Sequence, residues 1–169
     1  MLKLIILRHA KSSWSEPGQS DFERALNSRG MADLPKIANA LEKRGHVPDT
    51  IYCSPAKRTK LTMEGILIHW NQKPSIHFDR DMYIGGTSAY LAAIRQHKSN
   101  DVLMLVGHNP TCHSLVVSLA GHGEAGALSA VATKYPTGTA SILQFDVENW
   151  LEVSPGNGHL IDFLMPKQL

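Results

Sequence analysis

The hydrophobic pattern of this chain switches repeatedly between short apolar runs and longer stretches with helical spacing. Leu2 to Leu7 reads as a strand covered on both faces, and so does Asp101 to Val106 through its "VLMLV" core. Thr50 to Cys53 and Ser75 to Phe78 predict two shorter strands. Helical spacing predicts α-helices over Arg29 to Lys43, Pro55 to Trp70, Thr87 to His97 and Thr111 to Ala120. Asn27 or Ser28 is placed to cap the first of these and Gly45 to close it, while Pro35 inside it marks a kink or a later start. Trp14 to Leu26 is polar and reads as a loop, and the Gly- and Ala-rich Gly121 to Ser129 reads as another. Thr139 to Val147 and Trp150 to Val153 predict a strand pair joined at Glu148-Asn149, and His159 to Met165 a last strand. Strand and helix in alternation predict an α/β fold, a three-layer α/β/α sandwich around a central, mostly parallel sheet. The last hairpin is expected to put an antiparallel strand at an edge.

The chain has 169 residues, the size of one domain spanning 1–169, and shows no linker or repeat. A formal net charge of +2 is too small to argue for nucleic acid or an anionic membrane as partner. Its first apolar stretch is too short for a signal peptide, and no run is long enough to span a membrane. Cys53 and Cys112 sit among apolar residues with no metal-type spacing. The expectation is a reduced, cytoplasmic protein. Its oligomeric state is not legible.

Chemistry gathers at the ends of the strands. The first apolar run stops abruptly at Arg8 and His9, and "VLMLVGHNPT" stops at His108 just before a helix. "IYCSPAKRTK" leads from a strand into a helix that carries Arg58 near its start. In a parallel sheet these ends share one edge, where ligands bind, and neighbouring strands are only about 4.8 Å apart. Two histidines and two arginines are therefore expected to converge. Guanidiniums match phosphate oxygens, helix N-termini add N–H donors, and a neutral imidazole is a nucleophile. The chemistry that fits is phosphoryl transfer through a phosphohistidine. A metal site fits less well, because the arginines would repel a cation and no acid stands at ligand spacing, so neither metal nor cofactor is expected.

The same residues resemble a known family. "RHAKSSW" resembles the Arg-His-Gly motif that opens the histidine phosphatase (phosphoglycerate-mutase-like) superfamily. "SPAKRT" is similar to its second-arginine motif and "VGHNP" to its second-histidine motif. The short length and "DFERALNSRG" are most similar to the SixA-type phosphohistidine phosphatase branch, and the likeness runs through "YPTGTASILQFD". The resemblance implies that His9 is the nucleophile and that Arg8, Arg58 and His108 hold the phosphoryl oxygens. It implies Arg24 as a further phosphate or substrate ligand, with pairing to Asp21 or Glu23 as the other reading. Asp81, in "DRDMYIGG", is the positional match for a general acid, and a surface ion pair with Arg80 is its other reading. Ala10, Lys11 and Ser15 depart from the family pattern, which bears on substrate more than on mechanism.

The resemblance implies a metal-independent phosphatase whose partner is a phosphorylated protein, with phosphohistidine on a signalling or phosphocarrier protein as substrate. Two alternatives stand beside it: a phosphomonoesterase for sugar or nucleotide phosphates, and a phosphate-binding module without turnover. A mutase, which must exclude water, fits poorly with so little spare chain for a lid.

Overall fold

Along β1 (Leu2–Arg8) the side chains alternate between two apolar environments, and this alternation organises the whole molecule. In the computed structural model, which describes residues 1–14 and 16–169, Leu4 and Ile6 point into one core and Ile5 and Leu7 into another. Ser15, one of the departures from the family pattern, lies outside the described residues. The first core is closed by α4 (Thr87–Gln96), α5 (Thr111–Leu119) and α6 (Ala125–Thr133). The second is closed by α1 (Ser28–Lys43) and α2 (Lys57–Leu67). Helices on both faces of one sheet make the three layers.

The remaining strands are β2 (Thr50–Cys53), β3 (Ser75–Phe78), β4 (Val102–Gly107), β5 (Ala120–Gly123), β6 (Ala140–Phe145) and β7 (Gly158–Leu164). Their order in the sheet is β3-β2-β4-β1-β6-β7-β5. Pairing is parallel from β3 through β1, antiparallel for β1–β6 and β6–β7, and parallel again for β7–β5. The antiparallel strand β6 thus lies inside the sheet beside β1, and β3 and β5 form the edges. That corrects the expectation of an antiparallel edge.

Two further expectations are corrected. Trp150 to Val153 is not a strand: Trp150–Glu152 is a 3₁₀ turn. The Asn149 side chain accepts from the Leu151 N–H, and the Glu152 carboxylate accepts from the Asn149 N–H, a reciprocal cap. The Trp150 indole is buried and donates to the Ser99 carbonyl, so an aromatic that suggests a strand fills a core instead. Gly121 to Ser129 is not a loop but carries β5 and most of α6. Elsewhere the helices lie close to where the spacing puts them. α1 runs through Pro35, at the cost of one hydrogen bond on a turn where Met31 is exposed, and Asn27 caps it by accepting from the Gly30 N–H. A four-residue helix, α3 (Asp81–Ile84), was not expected. No helix among the described residues is long and apolar enough to cross a membrane.

This strand order positions the site. β2, β4 and β1 are consecutive in the sheet, and their carboxyl ends lead to Arg58, to His108 and to Arg8-His9.

Candidate active site

Arg8 is the last residue of β1 and pairs in register with Gly107, the last residue of β4. His9 follows at once. Its N–H donates to the Gly107 carbonyl at 3.0 Å, and its own carbonyl accepts from Gly138 at 2.9 Å. The strand tip is thereby fixed between β4 and the loop ahead of β6. His108 stands one residue beyond β4, and the two imidazole centroids are 5.4 Å apart. α2 is tied to the same tip: the Thr62 hydroxyl accepts from the Ala10 N–H and donates to the Arg58 carbonyl. That places Arg58, in the first turn of α2, against the pocket.

The pocket is a cavity of about 310 Å³ whose walls include Arg8, His9, Arg24, Arg58 and His108. Its cations are held from behind. The Arg8 Nη1 donates to the Tyr135 carbonyl at 2.8 Å. Arg24 donates to Asp21 at 3.1 Å and to the Ser12 hydroxyl at 2.9 Å, and its guanidinium lies 3.5 Å from the centre of the Trp14 ring. Arg58 donates to both the carbonyl and the carboxylate of Asp21, at 2.7 and 3.1 Å. Arg24 therefore both pairs with Asp21 and lines the pocket, so its two sequence readings coexist.

Both histidines are neutral at physiological pH. Burial pushes His9 down to about 3; the Ala10 carbonyl opposes this, and neighbouring His108 and the guanidinium charges of Arg58 and Arg8 add to the lowering. Burial and the Arg58 charge bring His108 to about 4, against the pull of Asp21. Their tautomers follow from their partners. The His9 Nδ1 lies 2.7 Å from the Ala10 carbonyl, which only accepts, so Nδ1 carries the proton and Nε2 keeps a free electron pair. The His108 Nε2 meets the Ser54 hydroxyl at 2.8 Å, and its backbone N–H donates to the Tyr90 hydroxyl at 2.9 Å. Among the described residues, three buried nitrogens on these walls, Arg8 Nε, Arg58 Nε and His108 Nδ1, have no partner. A bound anion with several acceptor oxygens suits such a set.

Asp81 does not join them. It is exposed at the start of α3 and lines a different depression with His77, Asp79 and Gln96. The carboxylate in the pocket is Asp21, which sequence reading treated only as a partner for Arg24. Partial burial pushes its pKa up, but the Tyr83 hydroxyl and the two arginines outweigh this and hold it at about 2. Asp21 is therefore ionised at neutral pH. Trp14 borders the pocket and is exposed. Ser54, Thr62, Tyr90 and Tyr135, which hold the site from behind, were also missed. Both thiols are buried, and burial pushes each up to about 12. Among the described residues, no group of three or more His, Cys, Asp or Glu stands ready for a metal ion.

Comparison with known proteins gives this geometry a family. Residues 4–83 match the model of the histidine phosphatase superfamily, branch 1. A crystal structure from Agrobacterium tumefaciens, provisionally named phosphohistidine phosphatase SixA, superposes with a TM-score of 0.83 at 31% identity over 98% of each chain. The chain belongs to the histidine phosphatase superfamily. Within it, the chain falls in the SixA-like branch. An uncharacterised chloroplastic protein of Arabidopsis thaliana is 30% identical, over 97% of this chain and 78% of its own length. An uncharacterised protein of Mycobacterium tuberculosis is 27% identical, over 95% of this chain and all of its own. Like the fold, this histidine phosphatase site is built from both halves of the chain, since His108 lies beyond the residues that the family model matches.

Proposed function

We propose that this histidine phosphatase hydrolyses phosphohistidine on a protein, without a metal, through a phosphoryl group carried by His9. The observation that carries the reading is the free electron pair on the His9 Nε2, held by the Ala10 carbonyl bond inside a pocket walled by three arginines. In the first step the Nε2 pair attacks phosphorus and the bond from phosphorus to the leaving nitrogen breaks. Arg8, Arg58, Arg24 and His108 stabilise the charge on the equatorial oxygens. Water then adds to phosphorus, the bond to Nε2 breaks, its electron pair returns to the ring, and inorganic phosphate departs.

The state of Asp21 favours this substrate class over phosphomonoesters. An alkoxide leaving group needs a proton donor, and the carboxylate in the pocket is ionised. A protonated phosphohistidine releases neutral imidazole and needs none. The likeness to the Agrobacterium structure's provisional name points the same way. Asp81, away from the pocket, takes no part in this scheme.

The test compares a phosphohistidine peptide with p-nitrophenyl phosphate and with an alkyl phosphate, in excess chelator, for wild type and His9→Ala. Chelator-resistant turnover of the phosphohistidine peptide, at a kcat/KM well above that for the alkyl phosphate and lost in His9→Ala, supports the reading. Faster turnover of sugar or nucleotide phosphates would favour the small-molecule alternative. Phosphate binding with no turnover would leave a recognition module.

A further inference from the structure

A second and larger cavity, of about 520 Å³, lies beside the catalytic pocket. Its walls come from the first turns of α1, from the 134–137 segment ahead of β6, and from the chain's final 3₁₀ turn. Four cations surround it: Arg29, Lys36, Lys134 and Lys167. Among the described residues the one acid on its walls is Asp33, already 3.9 Å from Lys36. Among the described residues, Arg29, Lys134 and Lys167 form no ion pair. The whole chain carries a formal net charge of only +2, so this groove concentrates more positive charge than the molecule as a whole. Pro136, Met165 and Pro166 give it an apolar floor.

The groove adjoins the active site. Thr137 lines both cavities. Two residues of the intervening stretch, Tyr135 and Gly138, bond to the site: the Tyr135 carbonyl accepts from Arg8 and from Asn109, and the Gly138 N–H donates to the His9 carbonyl, while the Lys134 side chain makes no such contact among the described residues.

We propose that this groove binds an acidic segment of the protein substrate, next to the phosphorylated histidine. The proposal rests on the substrate class assigned above and adds what the substrate must carry beside the phosphoryl group. Charge complementarity selects such a chain and speeds its arrival, and the contribution is screened by salt. A free small phosphate fits in the catalytic pocket alone and makes no use of the groove.

The test is binding of a fluorescein-labelled, unphosphorylated peptide with a central histidine flanked by glutamates, read by anisotropy. Its control replaces every glutamate with glutamine. The protein variant is Lys36→Ser/Lys134→Ser/Lys167→Ser, all three positions being exposed. Exposed charge pairs are each weak, so the triple change is expected to loosen the acidic peptide by about tenfold. The glutamine peptide should bind weakly to both proteins, and turnover of p-nitrophenyl phosphate should be unchanged. Equal affinity of wild type and variant for the acidic peptide would overturn the proposal. So would full displacement of the peptide by millimolar citrate with no change in the triple variant. Hydrolysis of a phosphohistidine peptide with neutral flanks is scored separately. Its absence would reject the substrate class while the binding comparison still decides the groove.

Discussion

Gly107→Ala tests how the sheet holds His108. A Cβ on Gly107 would press on the Tyr90 hydroxyl and fall 2.6 and 2.7 Å from two of the ring carbons. Carbon atoms in ordinary contact sit about 3.5–4.0 Å apart, so something must retreat by about 1 Å. β4 cannot, because it is paired along its length with β1 on one side and β2 on the other. Tyr90 is fully buried and has little room to move. Overpacking of this kind costs about 1–3 kcal/mol. A shifted ring also withdraws the acceptor of the His108 N–H, which adds about 1–3 kcal/mol for an unpaired buried donor. The sum, roughly 2–6 kcal/mol, is a large part of the stability of an ordinary domain. A catalytic group misplaced by about 1 Å loses about 10²-fold in rate. Urea unfolding and kcat/KM on p-nitrophenyl phosphate read both effects. Tyr90→Phe removes the acceptor without the clash, so it should lose only the hydrogen-bond part, about 1–3 kcal/mol, and far less activity. The two changes should be non-additive when combined. An unfolding midpoint and kcat/KM for Gly107→Ala both indistinguishable from wild type would refute the reasoning.

Other outcomes follow from the pocket's charges. With His9 at about 3 and His108 at about 4, both imidazoles stay neutral well below the ordinary histidine range, so kcat/KM should not lose activity to imidazole protonation as pH falls through 6.5. Arg58→Met removes a charge that opposes protonation and should move the acid limb to higher pH; a wild-type limb near 6.5 would contradict this. The same depression makes the unfolded chain take up protons before the folded one, so stability should fall as pH drops below about 6.5, and less steeply in His9→Gln. Asp21→Asn removes a negative charge beside Arg24 and Arg58 and should tighten inhibition by inorganic phosphate several-fold, while Asp81→Asn leaves kcat and inhibition within about twofold. A tenfold loss of kcat in Asp81→Asn would restore it as the acid.

The sequence carried the buried strands and the residues at their tips well, because both are local features. Leu4 to Leu7 and Leu103 to Val106 are apolar on both faces since helices cover both faces, and parallel order then puts Arg8, His9, Arg58 and His108 at one edge. What it concealed depends on chain reversals. Asp21 reaches Arg58 and Tyr83 across 37 and 62 residues, and no local spacing encodes either contact. Asp81, the positional match for a general acid, faces another depression. Gly121, Gly123 and Gly126 masked β5 and α6, whose pairing with β7 and packing on the core outweigh weak local preference. Trp150 reads as a strand residue by type, yet the Asn149 to Glu152 cap signal lay in the sequence and was overlooked.

The central claim is that the His9 Nε2 carries the phosphoryl group. Rapid quenching of the enzyme with a phosphohistidine peptide, followed by phosphorus NMR and peptide mass spectrometry, reads it directly. The account predicts an acid-labile, base-stable phosphoryl group on His9, attached at Nε2, formed in excess chelator and missing from His9→Ala. Turnover without any phosphorylated His9, or a phosphoryl group on Nδ1 or on another residue, would contradict it.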